Sequence, residues 1–385
     1  MIARQLSSSI QRLLPKFPVL SITGPRQAGK TTLLKNLLPE YRYINLEDSR
    51  FRDAAIEDPH GFLNSFDQKV IFDEIQRTPD LFSAIQVKVD EEHMMGRYVL
   101  SGSQNFLLLE KISQSLAGRV AVLKLLPFSM AELFDATKMP DTPETAMFQG
   151  GYPVLHDRII EPADYFPSYL ETYLERDVRE VTNVKDLRQY YNFVRLCAGR
   201  VGQPVNVQSL AADCGISFPT AKNWLSILEA SYIIFMLPPF FENFHKRIIK
   251  TPKLYFFDTG LLCFLLGLNA AQQIDQYYQR GSLFENFVVA DLLKNRYHQG
   301  RPINAYFWKD SHQVEVDLIL QEAGQTDLYE IKYSHTPKPD HFKGLTSFRN
   351  TAMNLFGNNY IIYAGEIPQR WSQASFVPWT EIRNL

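Results

Sequence analysis

Short apolar runs alternate with longer amphipathic stretches over the first third of the chain. Val19–Ile22, Tyr43–Leu46, Lys69–Phe72, Tyr98–Ser101 and Val120–Leu125 read as five short buried strands, and Lys30–Leu38 reads as a helix stopped by Pro39. Strands at this spacing, with helical pattern between them, predict an α/β fold with a parallel sheet covered on both faces. Beyond Pro140-Asp141-Thr142-Pro143 the pattern changes to helical period over 163–230, with Tyr165, Tyr169, Tyr173 and Leu170, Leu174 at four-residue spacing. Gln208–Asp213 predicts a short helix with Leu210 and Ala211 inward. Gly215 supplies the turn, Ser217 caps a second helix, Pro219 sits in its first turn, and Trp224, Leu225 and Leu228 form its apolar stripe. Tyr232–Pro238 and Lys253–Asp258 predict a hairpin. A third pattern begins near Gly281 with a helix over Ser282–Arg296, then alternating strands at Ala305–Lys309, Glu315–Leu320 and Leu328–Tyr333. The chain thus divides at 1–140, 141–275 and 276–385.

Composition narrows the class. The 385 residues are 45% hydrophobic and 21% charged, a balance that excludes a disordered tail or a collagen-like repeat. Forty basic against forty-two acidic side chains give a net charge of −2, so any affinity for nucleic acid must come from local patches. One such patch is Phe244–Lys253, where Lys246, Arg247, Lys250 and Lys253 stand with no acid. Beside a helix-turn-helix with Lys222 and Asn223 exposed, it predicts a winged-helix region whose partner is DNA, by phosphate contacts, or else a protein. Cys197, Cys214 and Cys263 form no CxxC pair, which argues against a disulfide framework and a structural zinc. No apolar run nears the roughly 18 residues that span a bilayer. Met1–Pro39 is basic without an acid, as a transit peptide would be, yet the strand at Phe17–Thr23 leaves little chain to cleave. The expectation is a cytoplasmic protein without a membrane partner.

The chemistry concentrates first at Gly24-Pro25-Arg26-Gln27-Ala28-Gly29-Lys30-Thr31, followed by Thr32, between a strand and a helix. Glycines let backbone N–H groups curl around phosphates, and the helix N-terminus favours negative charge. Lys30 reaches the β- and γ-phosphates of ATP, and the Thr31 hydroxyl ligates Mg²⁺. Val70-Ile71-Phe72-Asp73-Glu74 ends an apolar strand in two acids, placing Asp73 by the metal and Glu74 by the attacking water. In Tyr98–Asn105, Ser103 is the first choice and Ser101 the second for a polar group between water and γ-phosphate. Arg119 precedes the fifth strand. It either projects toward a neighbouring subunit's nucleotide, which makes the protein a homo-oligomer, or caps a helix at the surface.

A second constellation lies in the last third. Glu285 sits on the Ser282–Arg296 helix, Glu315-Val316-Asp317 begins a strand, and Glu330-Ile331-Lys332 lies on the next. Alternate strand side chains share a face, so Glu330 and Lys332 point the same way, and Asp317 joins them if the strands are neighbours. Two or three carboxylates for Mg²⁺ plus a lysine suit phosphodiester hydrolysis.

The order GPRQAGKT, VIFDE, LSGSQ, LAGRV and LLPFS resembles the AAA-type ATPases of a bacterial and archaeal group. In that group the ATPase is fused to a C-terminal domain of unknown function related to PD-(D/E)xK nucleases. The resemblance continues through Gly150–Pro153, Glu175-Arg176-Asp177 and Lys253–Leu261. It implies an AAA-type P-loop domain, a helical winged-helix region and a restriction-endonuclease-like α/β domain. By that resemblance Glu285, Asp317 and Glu330 would bind metal and Lys332 would position water, although no Pro-Asp dipeptide precedes the hairpin. The expected activity is Mg²⁺-dependent ATP hydrolysis coupled to DNA binding or processing, with cleavage by the C-terminal domain. The alternative is a nucleotide-switched DNA- or protein-binding ATPase with an inert nuclease fold.

Overall fold

The computed structural model describes residues 2–103, 115–158, 160–174, 178, 186–240, 251–352 and 354–385. After helix α1 (Leu6–Leu13), five strands form one parallel sheet: β1 (Val19–Thr23), β2 (Arg42–Asn45), β3 (Val70–Asp73), β4 (Tyr98–Gly102) and β5 (Val120–Lys124). Their order is β2-β3-β4-β1-β5. Every pairing is parallel, with Val19 opposite both Tyr98 and Val120 and Asp73 opposite Ser101. All five strands fall within a residue or two of their expected positions.

The period-2 alternation of the strands divides the apolar side chains between two faces. Val19, Ile44, Phe72, Tyr98 and Leu100 pack against the Leu81–Glu92 helix. Leu20, Ile22, Ile71, Val99 and Leu123 pack against α1 and helix α2 (Lys30–Leu37). Burial on both faces explains why β1, β3 and β4 are continuous apolar runs. Because the strands run parallel, the loops after β1, β3 and β4 all leave the same edge, where the candidate site lies.

The middle third is helical, as its period predicts. Helices Val207–Cys214 and Phe218–Ala230 are joined through Gly215 at φ +68°, a left-handed conformation that glycine adopts without a Cβ penalty. Ser217 caps the second helix by accepting from the Thr220 N–H at 3.2 Å. Leu210, Ala211, Trp224, Leu225 and Leu228 are buried, while Lys222 and Asn223 are exposed and Phe218 is 51% exposed. Strands β6 (Ile234–Leu237) and β7 (Lys253–Phe256) pair antiparallel, giving the expected hairpin. Its basic segment at 244–250 lies outside the described residues, as do Gln104, Asn105, Glu175, Arg176 and Asp177.

The last third holds a mixed six-stranded sheet in the order β12-β13-β11-β10-β9-β8. Its strands are β8 (Ala305–Lys309), β9 (Glu315–Glu322), β10 (Gln325–Lys332), β11 (Asn359–Tyr363), β12 (Gln369–Arg370) and β13 (Ser375–Pro378). The three last strands and the Lys343–Thr351 helix add to the sequence expectation. One apolar core runs from Ile2 and Leu126 to Ile382, and the Arg280–His298 helix is buried along most of its length within it. The middle and last thirds therefore share a core across residue 276. No helix among the described residues is long and apolar enough to cross a membrane.

Candidate functional site

The phosphate loop leaves β1 after Thr23 and enters α2 at Lys30. Gly24 has φ +152°, and a Cβ there would lie 2.0 Å from the Leu125 carbonyl oxygen. The close approach requires glycine. Gln27 and Gly29 both have positive φ, the curl that turns successive N–H groups inward. The Lys30 side chain is 7% exposed, and its ammonium donates to the carbonyls of Gly24 and Pro25, 2.8 Å each.

Two acids face this loop from the end of β3. The Thr31 hydroxyl donates to Asp73 Oδ2 at 2.6 Å, and the Tyr43 hydroxyl donates to the same oxygen at 2.7 Å. Asp73 is buried. Burial raises the Tyr43 phenol well above its ordinary value, and Asp73 adds to the effect, so Tyr43 remains a donor. Glu74 follows with φ +56°, a conformation costing a non-glycine residue about 1–3 kcal/mol and typical of functional sites. Its Oε2 accepts from Gln76 Nε2 at 2.5 Å and from Ser103 Oγ at 3.5 Å. Ser101 lies inside the sheet with a buried hydroxyl that has no partner among the described residues, so Ser103 is the serine presented to the site. Hard oxygens of Thr31 and Asp73 beside an anion-binding loop fit Mg²⁺.

A cavity of about 630 Å³ opens over these groups. Arg26, Gln27, Gly29, Lys30, Thr31, Thr32, Glu74 and Ser103 form one wall. Pro153, Val154, Asp157, Arg158 and Thr172 of the middle third form the other. A narrower space of about 220 Å³ adjoins it through Gly29, Thr32, Pro153 and Asp157, reaching Ile2, Arg4, Leu33 and Phe128.

Several groups that brace the loop belong to no motif of the sequence. Arg4 is buried and spreads its guanidinium over Ala28 O at 2.9 Å, Leu126 O, and Glu132 Oε1 at 3.0 Å. Burial works against the Glu132 carboxylate, yet His298 and Arg4 outweigh it and hold its pKa at about 2. Burial lowers His298, and its Nε2 accepts from the Leu126 N–H at 3.1 Å. The loop is also held by Tyr165, whose hydroxyl donates to Gln27 Oε1 at 2.8 Å. Asp258 accepts from the Gly151 N–H at 2.7 Å, so the Gly150–Pro153 and Lys253–Leu261 motifs meet beside the cavity wall.

Arg119 lies elsewhere. It precedes Val120, which pairs with the first residue of β1, so it stands at the sheet edge opposite the phosphate loop. The length of β1 alone separates the two by roughly 16 Å. Its guanidinium pairs with Asp90 through Nε at 2.6 Å and Nη2 at 2.8 Å. It does not reach its own chain's nucleotide site.

The second constellation does converge. Asp317 on β9 accepts from the Ile331 N–H of β10 at 2.7 Å, and Lys332 lies 2.5 Å from Glu330 and 3.8 Å from Asp317. Burial lowers the Lys332 pKa, but Asp317 and Glu330 outweigh it and keep the ammonium charged. Burial, with Asp317 nearby, raises Glu330 to about 8, and its Oε2 is buried without a partner among the described residues.

The lysine expected to contact phosphates from the basic loop is also here. Lys253, 2% exposed, donates to Glu285 Oε1 at 3.0 Å and Glu315 Oε1 at 3.3 Å. Burial opposes its charge, and Glu285, Tyr255, Asp317 and Glu315 outweigh that opposition. Tyr255 donates to Glu285 Oε1 as well. This corrects the expected role of Lys253: a buried ammonium cannot reach DNA. Among the described residues no three His, Cys, Asp or Glu side chains are arranged to hold a metal ion. Glu285 pairs with Lys253, while Asp317 and Glu330 pair with Lys332.

Residues 16–134 match the family described as AAA domain. Residues 141–272 and 280–382 match two domains of unknown function, DUF8612 and DUF4143. An uncharacterized protein of Mycobacterium tuberculosis is 29% identical over 367 residues, 94% of this chain and 80% of its own length. One of Haemophilus influenzae is 24% identical over 318 residues, 72% of this chain and 74% of its own. The Walker-type ATPase of Pyrococcus abyssi is similar at 16% identity, covering 69% of this chain and 96% of that one, with a TM-score of 0.43. The Thermotoga maritima RuvB Holliday junction branch migration motor is similar at 18%, covering 60% and 89%, with a TM-score of 0.33. By the family models, an AAA domain match over 16–134 is followed by a C-terminal DUF4143 match over 280–382.

Proposed function

We propose that this chain hydrolyses ATP with Mg²⁺ at the phosphate loop and that its nucleotide state controls DNA contacts made by the helix-turn-helix region. The observation that supports hydrolysis is the meeting of Lys30, Thr31, Asp73 and Glu74 at one sheet edge, with Glu74 held by Gln76 and Ser103. Gly24 to Thr32 cradle the phosphates, and Lys30 neutralises charge on the β- and γ-groups. Thr31 and Asp73 hold Mg²⁺, which when bound neutralises the charge that develops on the phosphates. Glu74 polarises the attacking water and accepts its proton, and Ser103 keeps the carboxylate oriented. The smaller space beside Arg4, Leu33 and Phe128 is apolar enough for the base.

Two features support movement. The cavity's far wall belongs to the middle third, and Tyr165 touches the loop itself, so a bound nucleotide would bridge the two parts. Lys222 and Asn223 lie exposed on the second helix of the helix-turn-helix, as a groove-reading face requires. Arg119, remote from its own site, would act on a neighbouring subunit's nucleotide in a homo-oligomer. Phosphate release measured with and without duplex DNA, at low and moderate salt, tests the coupling. DNA-stimulated turnover that fades with salt supports it; turnover indifferent to DNA under all conditions refutes it.

A second reading, metal-dependent DNA cleavage, is favoured by the orphaned Glu330 Oε2 beside Asp317 and Lys332. It would need Lys253 to withdraw from Glu285. Single-stranded, duplex and branched DNA incubated with Mg²⁺ or Mn²⁺, with and without ATP, tests it against Asp317→Ala and Lys332→Ala.

A further inference from the structure

We propose that the Lys253 ammonium is the resident cation of the C-terminal carboxylate cluster. It stands in place of a divalent metal and latches the β6–β7 hairpin to the Arg280–His298 helix and β9. Lys253 begins β7, an otherwise apolar strand, and its charged end would be costly to bury without anionic partners. Glu285 from the helix and Glu315 from β9 supply them. The Phe307 ring lies 5.4 Å from the ammonium, closing a further side of it to water.

The charge balance of the whole cluster supports this assignment. Four carboxyl groups meet there: Glu285, Glu315, Asp317 and Glu330, the last holding its proton up to about pH 8. Three ammonium groups face them, Lys253 on the first two, Lys309 on Glu315, and Lys332 on the last two. The three ammonium charges already match the other three carboxylates, so an added Mg²⁺ would leave an excess of positive charge. It also demands near-octahedral oxygens at about 2.0–2.1 Å, whereas a charged ammonium already stands 3.0 Å from Glu285 Oε1. Glu285 belongs to the same helix as His298, which abuts Arg4 and Glu132. The latch therefore fixes the hairpin to an element that also contacts the nucleotide domain.

The test is Mn²⁺ binding to the nucleotide-free full-length protein, followed by electron paramagnetic resonance, in wild type, Lys253→Met, Asp317→Asn and the double variant. The wild type and Asp317→Asn should bind the same amount, because the cluster takes none. Lys253→Met should gain one site, and the double variant should lose it. A wild-type site that disappears in Asp317→Asn overturns the proposal, as does a folded Lys253→Met that gains nothing. If Lys253→Met is unfolded, millimolar Mn²⁺ should restore its folded circular-dichroism spectrum but leave the double variant unfolded. Failure of that rescue also overturns it.

Discussion

The Thr31 hydroxyl donates to Asp73 at 2.6 Å, joining the first turn of α2 to the end of β3. Tyr43 donates to the same Asp73 oxygen from β2, so three elements converge on one carboxylate. The tyrosine orients that carboxylate from behind, as an outer-shell partner of a metal ligand does. Tyr43→Phe should leave the fold intact and weaken the Mg²⁺ dependence of ATP turnover about tenfold, read as the Mg²⁺ concentration for half-maximal rate. An unchanged Mg²⁺ dependence would show that Asp73 needs no such support.

Arg4 organises the opposite side of the loop. Its fork serves three acceptors in three segments, Ala28, Leu126 and Glu132, which a single ammonium cannot match. Arg4→Met should destabilise the protein by about 3 kcal/mol in denaturant unfolding, because it leaves the buried Glu132 carboxylate only His298 and backbone N–H groups as partners. Arg4→Lys should recover only part of that loss, and both should bind ATP more weakly.

Arg119 has a different test. Its partner Asp90 is in its own chain, so action in trans requires that surface pair to open. Arg119→Ala should abolish hydrolysis while retaining ATP binding. Mixing it with Glu74→Gln protein should restore part of the turnover, since each variant supplies what the other lacks. No recovery in mixtures that assemble normally would count against a trans role.

Glu330 makes stability depend on pH. Its folded pKa is raised from 4.5 to about 8, so between those values the folded protein holds a proton that the unfolded chain has released. The contribution is fully present below about pH 4.5 and is lost as pH rises toward and through 8, by up to about 1.4 kcal/mol per pH unit. Glu330→Gln should flatten the fall in melting temperature between pH 5.5 and 8. An equal fall in both proteins would place the titration elsewhere.

The sequence is most legible where chemistry is local. Gly24–Thr31 lies between a strand and a helix, and Asp73-Glu74 ends an apolar strand, so their placement follows from period and motif order. Arg4 and Tyr43 escape such a reading because their partners lie 24 to 128 residues away and nothing in their own neighbourhood marks them. Lys253 did carry a signal: a lone charge opening the apolar run Leu254–Phe257. Its place at the start of a strand is legible; that its ammonium turns inward onto Glu285 and Glu315 is not. The carboxylates were rightly expected to share a face, since the β9–β10 register sets Leu318 opposite Tyr329, one step from Asp317 and Glu330. The Lys253 partner of Glu285 and Glu315 depends on an element more than thirty residues upstream of Glu285.

The most direct test is steady-state phosphate release from MgATP by wild type and Glu74→Gln, with fluorescent-nucleotide binding measured on the same preparations. A Glu74→Gln protein that binds ATP as tightly as wild type but turns over at least about 100-fold more slowly is the predicted result. Turnover within a few-fold of wild type would contradict the assignment of Glu74. A wild type that binds ATP yet releases no phosphate would contradict hydrolysis at this site.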